Sequence, residues 1–171
     1  MRFDRRIPIW VLSGMLAGVA AGSAQAKGAV EVSFIEPARY TDAGRTPSDA
    51  RSNEVTLEQF IRNLGERYLA DGQVLKIDVL DVDLAGTVRP ARRSGLDIRI
   101  VRGSADMPHI RLRYALTDGG AVIKTAEETL TDLNYTRHTS DYSASDPLRH
   151  EKRMLADWFK ANFVARKAAA R

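Results

Sequence analysis

The chain has 171 residues, with 26 Lys plus Arg against 22 Asp plus Glu, 44% hydrophobic residues and no cysteine. This length suits one domain able to bury a real core, and the lack of cysteine excludes disulfides, thiolate metal sites, a cysteine nucleophile and a lipid-bearing cysteine at a cleavage site. Most of the positive charge is arginine scattered among carboxylates, which argues against the concentrated phosphate-binding stripe of a nucleic-acid protein.

Arg2, Arg5 and Arg6 precede an uncharged run of apolar and small residues over 7–22, and Ala24-Gln25-Ala26 supplies the small-x-small pattern that signal peptidase requires. Residues 1–26 are therefore expected to be a secretory signal, and 27–171 one mature domain starting at Lys27. The run is shorter than the ~20 apolar residues of a membrane span, and nothing later is as hydrophobic. The expectation is a soluble protein of the bacterial periplasm or the exterior, with no membrane insertion after cleavage. Adjacent Arg5-Arg6 lacks the wider signature of twin-arginine export. The leader holds three of the 26 basic and one of the 22 acidic residues, so the remainder carries 23 and 21, a net charge of +2.

Val30, Val32 and Phe34 alternate with polar residues as in a half-buried strand that ends before Pro37. Residues 39–53 are rich in Thr, Ser, Asp, Gly and Pro and read as a loop. Val55, Leu57, Phe60, Ile61, Leu64 and Tyr68 then recur at helical spacing, with Asn53 or Thr56 as cap and Asp71-Gly72 as stop. The segment 73–84 is the most strand-like of the chain, yet Leu75, Ile77 and Val79 share one face while Leu80, Val82 and Leu84 fall on the other. Either this strand is covered on both faces, or a bulge near Val79 and Leu80 restores one apolar face and aligns Lys76, Asp78, Asp81 and Asp83 opposite it.

Alternation around Leu96, Ile98 and Ile100, and again around Ile110, Leu112, Tyr114 and Leu116, predicts two strands with arginines on their polar faces. Asp118-Gly119-Gly120 supplies a turn of positive φ into a strand over 122–130. A polar loop over 134–145 carries Tyr135 and Tyr142. Asp146-Pro147 opens a last helix buried through Leu148, Leu155, Trp158, Phe159 and Phe163, with Arg149, Lys152, Arg153, Asp157 and Lys160 outside or at its margins. The order β-α-β-β-β-β-α predicts a single α+β domain: a mostly antiparallel sheet of about five strands packed by two helices, with a parallel first crossover.

Four stretches, LKIDVLDVDLAG at 75–86, DMPHIRLRY at 106–114, TDLNY at 131–135 and LRHEKRMLADWF at 148–159, resemble an exported bacterial family known as domain of unknown function 3016. The resemblance runs from Val30 to Phe163. It implies one secreted domain and brings no activity, cofactor or catalytic residue with it.

Asp78, Asp81 and Asp83 are the first candidates for chemistry, because hard cations prefer converging oxygens. The opening of a calcium loop is imitated at 81–86, but Ala85 stands where an oxygen ligand belongs and Arg92 where the closing Glu belongs, and the apolar spacing spreads the carboxylates along a strand. No metal and no cofactor is expected. The plainer expectation is an exposed charge ladder in which these aspartates face Arg99, Arg111 and Arg113 on neighbouring strands. His109, His138 and His150 lack metal-ligand spacing, and no G-x-S-x-G elbow nominates a serine, so no catalytic residue is assigned. Gly119-Gly120 is too short to cradle phosphate. Tyr135, Tyr142 and Trp158 have the chemistry to stack on sugar rings, but Trp158 lies on the buried stripe and reads as core. The candidate ligand-binding set is Asp78, Asp81, Asp83, Arg99, His109, Arg111 and Arg113. The reading this supports is a non-enzymatic binding or accessory module of the cell envelope, with a protein or polymer as partner. The alternatives are an enzyme built on Asp78, Asp81, Asp83 and His109, or a polyanion binder using the arginine face.

Overall fold

The computed structural model describes residues 27–90, 97–137, 142–143 and 145–169. The expected signal segment 1–26 and His138 lie outside the described residues. The elements are β1 (Ala29–Phe34), α1 (Pro47–Tyr68), β2 (Gln73–Asp83), β3 (Thr87–Pro90), β4 (Asp97–Ile100), β5 (His109–Asp118), β6 (Ala121–Thr131) and α2 (Arg149–Ala169), with short 3₁₀ turns at Pro37–Arg39 and Gly103–Ala105.

The expected α+β fold with its parallel first crossover is present, divided into a four-stranded sheet of order β1-β2-β5-β6 and a two-stranded sheet of β3 and β4. β1 runs parallel to β2, and the remaining pairs of the large sheet are antiparallel. The strand expected near Leu96 is thus not a fifth member of that sheet. It pairs with Thr87–Pro90, a segment too short for alternation to reveal.

Both helices cover one face of the large sheet. Leu57, Ile61 and Leu64 of α1, and Leu155, Trp158, Phe159 and Phe163 of α2, meet Leu75, Ile77, Val79, Leu112, Tyr114 and Leu116 in one buried cluster. Gly65 sits so close to β1 that a Cβ there would collide with Val30. α1 begins earlier than its apolar periodicity indicates. Thr46 caps it, accepting from the Asp49 N–H at 3.1 Å while the Asp49 carboxylate accepts from the Thr46 N–H at 3.1 Å, and Pro47 fills the first position. The second half of the expected loop 39–53 is therefore helical, and Asn53 and Thr56 lie inside the helix rather than at its cap. Val55, counted on the stripe, is 51% exposed. The first turns face water, so they leave no apolar signature.

β2 adopts the bulged alternative. Its register with β5 shifts between Val79 and Asp81, after which Val82 and Leu84 return to the buried face. The Val79 carbonyl is satisfied twice there, by the Ile35 N–H at 2.9 Å and the Tyr40 hydroxyl at 2.8 Å. Burial pushes the Tyr40 phenol up to about 12. Gly119 and Gly120 take φ of 55° and 86°, the two positive values that the β5–β6 hairpin needs.

Candidate functional site

Leu80 is the residue that the bulge takes out of register, and beyond it Asp81 and Asp83 align opposite Arg111 and His109 of β5. The sheet face away from the helices becomes a charged surface. Arg113 donates to the Asp78 carboxylate at 2.8 Å, Lys76 lies 3.3 Å from Glu31, and Arg111 lies 3.8 Å from Glu127. Near its centre, Ala115 stands between Lys76 of β2 and Thr125 of β6. Its short side chain among longer neighbours leaves a depression of about 270 Å³ lined also by Asp78 and Arg113.

The candidate residues do not form one focus. Asp78 and Asp83 are five residues apart on one strand, about 16 Å. Asp81 is held by Thr41, accepting from its N–H at 2.8 Å and its hydroxyl at 2.9 Å. Asp83 sits where the segment around Asp42 bridges to β2, and partial burial raises its carboxyl, with His109 opposing the shift and Asp42, Asp81 and Asp106 adding to it. Among the described residues, no group of three or more His, Asp or Glu is arranged to hold a metal ion.

Arg99 does not belong to the charged face. From β4 its guanidinium donates to the Ala85 carbonyl at 2.7 Å and lies 3.9 Å from Glu151. Glu151 is fully buried, and its Oε1 accepts the Ala85 N–H at 2.7 Å. Both backbone groups of Ala85, where the chain leaves β2, are thus met by side chains, the N–H by Glu151 and the carbonyl by Arg99. Burial holds the Glu151 carboxyl above its ordinary value. Beside it His150 is buried, its pKa lowered by burial and then by Arg149 and Arg99, and its ring stands edge-on to Tyr135 at 4.9 Å. Tyr135, expected in a polar loop, is 1% exposed, and burial followed by the charge of Asp106 raises its phenol. Glu151 Oε2, His150 Nε2, Asp106 Oδ2 and the Tyr135 hydroxyl are buried and make no hydrogen bond to the described protein.

Sequence reasoning missed Glu151. The available signal was its position three residues after Leu148 and four before Leu155, which places a carboxylate on the apolar stripe. A second cavity, about 430 Å³, runs between the end of β6 and α2, with Leu130, Met154 and Trp158 as its apolar lining and Thr129, Thr131, Asp132 and Asp157 as polar lining.

The family model described as "Protein of unknown function (DUF3016)" matches residues 28–161, from the start of β1 into the middle of α2. The chain belongs to the DUF3016 family. Comparison with curated proteins found no match. In this DUF3016 domain the stretches that carry the resemblance converge: Ala85 and Gly86 end the first, Asp106 begins the second, Tyr135 closes the third, and His150 and Glu151 lie in the fourth. The Gly86 N–H donates to the Asp106 carbonyl at 2.9 Å, which joins the first stretch to the second directly.

Proposed function

We propose that this DUF3016 domain is an exported, non-enzymatic module that binds a mixed-charge partner of the cell envelope, a protein or a polymer, on the open face of its sheet. The observation that carries the reading is the depression at Ala115, which offers the Lys76 ammonium, the Arg113 guanidinium and the Asp78 carboxylate around one small cavity. Such a lining suits a ligand that bears both a carboxylate and an ammonium group, since each of its charges meets a group of the opposite sign. The ion pairs of Arg111 with Glu127 and of Arg113 with Asp78 weigh against a polyanion partner, which would have to displace both acids. Asp81, tied to Thr41 by two hydrogen bonds, takes no part in this lining.

Protein recovered from a periplasmic extract should begin at Lys27, and it should co-sediment with isolated cell-wall sacculi or envelope membranes. Lys76→Gln combined with Arg113→Gln should reduce the bound fraction about fivefold or more while the melting temperature is retained, because both side chains are exposed. An intact Met1 in the cytosol would end the export reading, and binding that ignores the two substitutions would end the assignment of the face.

A further inference from the structure

The large sheet ends on β6, which has a strand beside it on the β5 side alone among the described residues. An eleven-residue edge is a template for further pairing, and proteins guard such edges with charges turned toward the core side. β6 carries two. Lys124 reaches Asn162 of α2 at 2.6 Å, and Glu128 accepts from the Tyr114 hydroxyl at 2.9 Å and from the Trp158 indole at 2.8 Å. An arbitrary strand laid on this edge would set its own side chains against an ammonium and a carboxylate.

We infer that the edge is reserved for a second copy of this chain: two β6 strands pair antiparallel about a twofold axis through Ala126 and join the two four-stranded sheets into one. A twofold perpendicular to the sheet keeps both helix layers on the same side, so residues of matching face must oppose each other. With the axis at Ala126, the central residue of β6, Lys124 stands opposite the partner's Glu128, and Thr125 stands opposite the partner's Glu127. Both inward charges then meet their opposites twice, once on each side of the axis. Moving the axis to Thr125 would set Ile123 against the partner's Glu127, and moving it to Glu127 would set that carboxylate against itself. Of these three registers, the one centred on Ala126 is self-complementary.

The ends of the strand agree with that register. Near Ile123 the pairing of β6 with β5 shifts, and Val122 and Ile123 are 62% and 44% exposed. Across the twofold this apolar end lies beside the partner's Thr129 and Leu130, which line the cavity of about 430 Å³ that also contains Met154 and Trp158. Pairing thus lays the end of the partner's strand beside the exposed apolar Val122 and Ile123.

The chain has no cysteine, so Ala126→Cys supplies a lone thiol that the axis brings to its own copy. Directly opposed residues have Cβ atoms about 4.5–5.5 Å apart, near the span of a disulfide. Sedimentation velocity on the purified protein from about 5 to 500 μM, a range that covers weak association, should show reversible dimerisation. Mild oxidation should link the Ala126→Cys chain into a covalent dimer and leave the Glu31→Cys chain, whose thiol lies on the opposite edge, unlinked. Thr125 is exposed, so its substitutions leave the fold intact. Thr125→Glu should raise the dissociation constant about three- to tenfold, and Thr125→Lys should lower it, because each acts against Glu127 at two equivalent places. A monomer at every concentration, crosslinking of the Glu31→Cys chain as fast as of the Ala126→Cys chain, or shifts of the same sign for the two Thr125 variants would overturn the inference.

Discussion

Glu151→Ala removes the one acceptor that the buried Ala85 N–H has. Glu151 is fully buried and holds that N–H at 2.7 Å, so its loss strands a donor at a cost of about 1–3 kcal/mol. The side-chain methylene deleted at the same site adds about 0.8 kcal/mol, which brings the total to about 2–4 kcal/mol. Glu151→Gln keeps both the stem and an acceptor oxygen, and should cost less than about 1 kcal/mol at pH 7. The two proteins should also differ in pH dependence. Burial raises the folded carboxyl above its ordinary 4.5, so as pH climbs from 4.5 the unfolded chain releases a proton that the native chain retains. The contribution of Glu151 to stability is complete below 4.5 and declines as pH rises toward the folded value, whereas glutamine does not titrate. Urea unfolding followed by the fluorescence of buried Trp158, repeated between about pH 4.5 and 7.5, should show the glutamine variant gaining on the parent as pH rises. A glutamine variant as unstable as the alanine one, or two parallel pH curves, would refute the reasoning and assign the residue to a charge pair with Arg99.

Trp158 is 7% exposed, donates to Glu128 and stands edge-on to Tyr114, Phe159 and Phe163, so Trp158→Ala should cost about 3–5 kcal/mol in urea melts. Lys160→Ala on the exposed side of α2 should change stability by less than about 0.5 kcal/mol. Parent-like melting of Trp158→Ala together with lost binding to an envelope component would show the aromatic stripe to be an interaction surface. Calcium, magnesium or zinc added to chelator-treated protein should move the melting temperature by less than about one degree, since a ligand bound only to the folded state must raise it. A rise of several degrees abolished by Asp81→Ala and Asp83→Ala would establish a cation site at the end of β2.

Those parts of the fold that bury one face were legible in the sequence. Alternation placed β1, β2 and β5, the Gly119-Gly120 turn placed β6 after them, helical spacing placed the cores of α1 and α2, and the double-face pattern at 75–84 left a bulge as one of two readings. What escaped has a physical reason in each case. The start of α1 is exposed and capped, so only Thr46, Pro47 and Asp49 mark it. Arg99 alternates like any strand residue, and alternation does not say which sheet a strand joins. Asp146 does cap the entry to α2, accepting from the Leu148 N–H at 2.9 Å, although the helix itself begins at Arg149. Glu151 escaped because a carboxylate is assumed to face water, while the backbone N–H of Ala85 needs an acceptor inside the protein.

The bulge at Leu80 links the buried and open halves of the molecule. Side chains on a strand change face with every one-residue slip, so without the extra residue the apolar Val82 and Leu84 would turn outward and Asp81 and Asp83 would turn under the helices. With it, Val82 and Leu84 stay in the core, Asp81 reaches Thr41, and Asp83 stands opposite His109. The strand also arrives at Ala85 in position to be gripped by Glu151 from α2 and Arg99 from β4. One residue in β2 therefore determines both what the open face presents and how the far end of the strand is anchored, and these two consequences fall within one of the stretches that carry the family resemblance, 75–86.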